Sequence, residues 1–224
     1  MPGLSDLRVT LYDVFGYLLP GLVAFGAVTI FVWAAVFPTA SLDEPHLSSA
    51  EWIGVLLTSY MLGHLVQAIT GLIAAFRGKA AAALDWFPLT DIGQKVGVPA
   101  LPAGSNAAAA EARAEKIYEL CDIAVAQKGS TGDREIYQYR EGFYRGLTVS
   151  LVLGLLAVVV RAIVTGDALV GKHHFVTSGE YFLACGVLIV AAILAFRRYR
   201  LFFNLKVHNT FGAFAVHSGL IHLD

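Results

Sequence analysis

The sequence predicts an all-α integral membrane protein with four transmembrane helices and cytoplasmic helical extensions. Three observations carry that prediction. Four long apolar blocks cover about residues 14–37, 52–76, 146–165 and 181–196. Each is close to the roughly 20 residues that cross a ~30 Å hydrocarbon core at 1.5 Å per residue. The basic residues collect on one side of these blocks, and no helix breaker separates blocks three and four from the polar segments next to them.

Composition agrees. The 224 residues are 57% hydrophobic and only 15% charged, against about 25% charge in a soluble domain. Mean hydropathy is +0.65. The two cysteines, Cys121 and Cys185, stand in unlike surroundings and show no ligand spacing. This argues against a disulfide scaffold and a structural zinc finger, and no metal is expected. No Ser/His/Asp set, P-loop, HExxH or GxSxG occurs, so the sequence points away from an enzyme, and neither a cofactor nor direct nucleic-acid contact is expected.

The first block is longer than a cleavable signal core and lacks a small-x-small site after it, so it reads as a retained span. The loop 38–51 holds Asp43, Glu44 and Glu51 and no Lys or Arg. Lys172 and Arg161 are the two basic residues near the other outer loop. The remaining 14 of 16 basic residues lie on the opposite side. The positive-inside rule then places both termini and the central segment in the cytoplasm, as an even number of spans requires. The expected location is the bacterial inner membrane, multi-pass.

Ser5 is placed to cap a short first helix, and Asp13 sits near the cytoplasmic boundary. Pro20 and Gly21 fall inside the first block. Proline lacks the backbone donor and crowds the preceding turn, so a kink is expected there, or an interfacial helix ending where a new span begins. In the central segment, Pro88, Pro99 and Pro102 predict an irregular first half, with Trp86 and Phe87 in the interface. Residues 111–128 read as an amphipathic helix with Ile117, Cys121, Ala124 and Val125 on one stripe and Gly129 as its stop. Ser130 or Thr131 caps the next helix, with Asp133 and Glu135 in its first turn. That helix is expected to run unbroken from about 132 to 165, and block four to continue through residues 202–217. The resulting division is a transmembrane hairpin over 1–76, a cytoplasmic segment over 77–130, and a second hairpin with extensions over 131–224.

The candidate site lies on span two. Tyr60, His64, Gln67 and Gly71 recur at i, i+4, i+7 and i+11, which is one helical face. Polar groups at membrane depth are costly and usually face protein or water. Interhelical hydrogen bonding, with Gly63 and Gly71 allowing close approach, is one reading. A pore-lining or proton-sensitive stripe around His64 is another. A second set is basic: Arg197, Arg198 and Arg200 with Phe202 and Phe203, and Arg134, Arg140 and Arg145 among Tyr137, Tyr139, Phe143 and Tyr144. These read as contacts to lipid or to a partner. Gly142 and Gly146 form a GxxxG spacing. His173 with His174, and His208, His217 and His222, form no constellation.

The segments Phe15-Gly-Tyr-Leu-Leu-Pro-Gly21 and Gly63-His-Leu-Val-Gln67 resemble those of a group of small bacterial multi-span proteins. The topology is similar to that of the membrane subunit of the Kiwa anti-phage defence system. The resemblance implies a membrane component with a defence role and transfers no residue roles. The functional expectation is a homo-oligomeric membrane sensor or channel-like effector, set in the lipid bilayer and contacting a cytoplasmic protein. The alternatives are an accessory subunit without its own pore, or a lipid-modifying enzyme using Asp13 and His64.

Overall fold

The computed structural model describes residues 4–36, 47–73, 76, 89–128, 132–165, 169–170, 174–175 and 178–220. Side chains at 4–13, 15, 132–133, 165, 169–170, 174–175 and 178 lie outside that description. So do the expectations placed on Ser5, Asp13, Trp86, Phe87, Pro88, Gly129, Ser130, Thr131, Asp133, Lys172, His173, His174 and His222.

The chain is helical: α1 Leu4–Val36, α2 Ser49–Leu72, α3 Leu89–Lys95, α4 Ala107–Gln127, α5 Gly132–Thr165 and α6 Ser178–His217. Two-residue strands, β1 Leu169–Val170 and β2 His174–Phe175, pair antiparallel between α5 and α6. Four of the helices are long and apolar enough to cross a membrane: α1, α2, α5 and α6. The 34 residues of α5 and 40 of α6 span about 50 and 60 Å, well beyond one hydrocarbon thickness.

Four local differences from the sequence reading have plain causes. At Pro20 no separate interfacial helix forms, since α1 runs unbroken through it. Ser48 and Glu51 make a reciprocal capping box that starts α2, so the helix begins before the apolar block does. Asn106 caps α4 by accepting from the Ala109 N–H at 2.9 Å, which puts its start four residues before Glu111. Within the stretch expected to be irregular, Leu89–Lys95 forms α3 and ends in a Schellman turn. Val98 N–H donates to Gly93 O at 2.8 Å and Gly97 N–H to Gln94 O at 3.2 Å, with Gly97 at φ +76° where a side chain would be strained.

The chain divides into two compact units that cut across the three segments read from the sequence. The first comprises Met1–Phe76 and Gly142–Tyr199, the second Arg77–Glu141 and Arg200–Asp224. In the first unit, α1 and α2 pack antiparallel through small side chains. Ser59, Gly63, Val66 and Thr70 are the buried stripe of α2, and Pro20, Gly21, Ala24, Ala27 and Ala34 are the buried positions of α1 among the described residues. A Cβ on Gly21 would strike the Ser59 carbonyl, and one on Gly63 the Tyr17 carbonyl. The two backbones touch, as helices do where van der Waals packing replaces the hydrophobic effect. Val149 of α5 completes this cluster with Ala24 and Val66. Elsewhere the spans expose apolar side chains such as Phe31, Leu57, Leu156 and Ile193.

The second unit has a conventional core. Ile92, Ala114, Ile117, Cys121, Val125, Val207, Phe211 and Phe214 form one buried cluster. The stripe read on α4 supplies three of these, Ile117, Cys121 and Val125; Ala124 packs at the edge. Two ion pairs tie its helices. Arg134 forks onto Asp122 at 2.7 and 2.5 Å, and Lys206 meets the buried Glu141 at 2.6 Å.

Candidate functional site

The polar stripe of α2 lies one position around the helix from the buried stripe 59/63/66/70. Tyr60 and Gln67 are half-buried, while His64 and Gly71 are exposed. The stripe therefore flanks the α1–α2 seam, and its polar side chains are engaged by neighbouring helices.

His64 is held by aromatic rings. Tyr17 of α1 stacks on it, with ring centroids 3.9 Å apart and planes at 16°. Tyr60 meets the same imidazole edge-on at 4.6 Å, and Tyr17 and Tyr60 meet edge-on at 6.1 Å. One turn further along, Gln67 reaches α5. Its Nε2 donates to the Gly142 carbonyl, and its Oε1 accepts from Arg145 Nη2 at 3.4 Å. Gly146 makes the room: a Cβ there would lie 2.6 Å from Gln67 Nε2 and 3.4 Å from the Pro20 ring. The GxxxG pair of α5 is thus a notch that admits a glutamine. This polar node joins α1, α2 and α5.

Other polar groups in the spans turn back on their own helices. Thr29 donates to Phe25 O at 2.9 Å, Thr70 to Gln67 O at 2.6 Å and Thr148 to Tyr144 O at 2.7 Å. The buried hydroxyls of Ser59 and Ser150 have no hydrogen-bond partner among the described residues.

The basic residues differ in burial and in partner. Arg197, Arg198 and Arg200 are exposed. Arg134 is buried on Asp122 in the second unit. Arg140 is exposed, with its guanidinium 5.4 Å from the Phe202 ring centroid. Arg145 is half-buried beside Gln67. Within the second unit helical geometry parts two of them: at about 100° per residue, Arg140 points some 240° around α5 from Arg134.

The sequence reading missed Tyr17 and Tyr199. Tyr199 is fully buried, and its hydroxyl donates to the Phe76 carbonyl at 2.8 Å. The signal available for Tyr17 was its place in the Phe-Gly-Tyr run, and for Tyr199 its seat between arginines that must face outward. His208 and His217 are exposed on α6. In the second unit, burial and then the Asp122 charge push the Cys121 thiol up to about 12. The same two causes raise the Tyr118 phenol, against a hydrogen bond with Thr210 that lowers it. Among the described residues no group of three or more His, Cys, Asp and Glu gathers to hold a metal ion.

Comparisons with protein families, curated proteins and solved structures return no match. Fold and node together fit the class of multi-pass helical membrane proteins.

Proposed function

We propose that this chain is a homo-oligomeric bacterial inner-membrane sensor, with both termini cytoplasmic, that relays changes in the bilayer to a cytoplasmic helical unit and through it to a partner protein. The observation that carries this reading is the sharing of α5 and α6. Each contributes an apolar span to the first unit and, without a break, a packed segment to the second. A rotation or shift of either span is transmitted along a continuous hydrogen-bonded helix to Glu141 or Lys206. The engagement of Tyr60, His64 and Gln67 in contacts between helices favours a sensor over a channel-like effector. A role in anti-phage defence is the physiological setting that the topology suggests.

Spin labels at Ile123 and Val216, both exposed in the second unit, test the relay in reconstituted full-length protein. Moving from short-chain to long-chain lipid should change their distance distribution. Inserting Gly-Gly-Ser after Glu141 should abolish that change while leaving the unit folded. An unchanged distribution in the parent protein overturns the proposal. So does a strictly monomeric particle in detergent, for the oligomeric part.

A further inference from the structure

The geometry points to an anionic-phospholipid site on α6, built from Arg197 and Arg198 and held in place by Tyr199. It requires only that α6 spans the bilayer and stands apart from any sensing role.

The argument starts from the exposed side of the span. Val187, Val190, Ile193 and Leu194 are all more than half exposed, so in a bilayer acyl chains cover them. Arg197 and Arg198 follow one turn later on the same two faces, at i+4 from Ile193 and Leu194, and both are exposed. Neither makes an ion pair or hydrogen bond among the described residues. The next residue, Tyr199, turns inward. Tyr199 is fully buried; its hydroxyl is fixed on the Phe76 carbonyl, and its ring packs on Phe76 at 5.2 Å and Phe196 at 5.7 Å. This pins the rotation of α6 against Phe76, four residues past the end of α2.

With Tyr199 pinned inward, about 100° per residue turns Arg198 and Arg197 outward. Two guanidinium forks then stand at the edge of an apolar belt, where lipid phosphates lie. A guanidinium pairs bidentately with phosphate oxygens, and a site whose orientation is already fixed loses less freedom on binding. The occupant is an anionic phospholipid, with its phosphate on Arg197 and Arg198 and an acyl chain along Ile193 and Leu194.

Native mass spectrometry of the full chain in detergent provides the test, with phosphatidylglycerol, phosphatidylcholine and soluble glycerol phosphate added in separate runs. The expected result is preferential retention of phosphatidylglycerol, with glycerol phosphate failing to compete because it lacks the chains. Removing both charges with Arg197→Gln and Arg198→Gln should cut that preference by roughly fivefold per arginine and leave phosphatidylcholine unchanged. Tyr199→Phe keeps both charges and loses the hydroxyl, and should weaken the preference by about threefold. Should the double variant fold poorly, raising salt on the parent protein must erode the preference. Equal retention of the two lipids by the parent, a double variant that keeps the full preference, or a variant that changes only the oligomer mass would each overturn the site. The last result would assign the patch to a second copy of the chain.

Discussion

Gly63 offers the sharpest test of how the first unit is held together. Replacing it with alanine adds one methyl group where the Tyr17 backbone already sits. The new Cβ would lie 2.7 Å from the Tyr17 carbonyl carbon and 3.0 Å from its Cα, with the carbonyl oxygen nearer still. Every one of these atoms is main chain, so no side chain can swing away. The two helices must separate by about 1 Å, which loosens the packing of Gly21 on Ser59 and of the cluster Ala24, Val66 and Val149. Overpacking of this kind costs about 1–3 kcal/mol, and the backbone clash puts Gly63→Ala at the upper end. That corresponds to a fall in Tm of about 6–12 °C for a chain of this size. The assay is a thermal melt of detergent-purified protein followed by size exclusion. Gly71, on the same helix, has nothing within 4 Å of its virtual Cβ, so Gly71→Ala should be neutral or slightly stabilising through helix propensity. A Gly63→Ala protein that melts with the parent, or a Gly71→Ala protein as damaged as Gly63→Ala, would refute the reasoning.

Three further outcomes follow from the same contacts. Gln67→Leu should cost about 0.5–1.5 kcal/mol, the range of interhelical hydrogen bonds in membranes, whereas Gly146→Ala, whose tightest contacts are with the flexible end of Gln67, should cost less than Gly63→Ala in the same melt. Glu141→Leu takes the carboxylate partner from the largely enclosed Lys206 ammonium and should destabilise the second unit by about 3–5 kcal/mol, with Lys206→Met added to it recovering most of the loss, read by limited proteolysis. The raised Cys121 thiol sets an alkaline limit. The unfolded thiol loses its proton near 9.0 and the folded one at about 12, so between those values the unfolded state binds fewer protons and stability falls as pH rises. Denaturation midpoints should be flat below pH 9, reflect a loss of about 1.4 kcal/mol at pH 10, and lose part of that slope in Cys121→Ala.

The helices were legible because each rests on local information. The absence of a proline between the polar stretch from Asp133 and the apolar block 146–165 gave α5 its full length from Gly132 to Thr165, and the spacing of Ile117, Cys121 and Val125 marked the inner face of α4. The short α3 was hidden by the prolines around it, which mark its ends and not its middle. The node was half legible. A glutamine at membrane depth signals that it needs a partner, but only the register of α2 against α5 selects the Gly142 carbonyl. The Gly63–Tyr17 contact was out of reach, because a glycine in an apolar run reads as small and nothing more until the facing backbone is placed. Arg134 was grouped with Arg140 by nearness in sequence, and six residues of helical rotation turn the two apart.

The composition of the second unit also sets an order of manufacture. Its core draws Ile117, Cys121 and Val125 from the segment before Gly142, and Val207, Phe211 and Phe214 from the segment after Tyr199. On a ribosome the first set emerges long before the second, with α5 and the first half of α6 in between. Until then the apolar face of α4 lacks the α6 side chains that cover it in the folded chain. Chains truncated before Val207 should therefore be degraded faster than the full chain, which a pulse-chase would read.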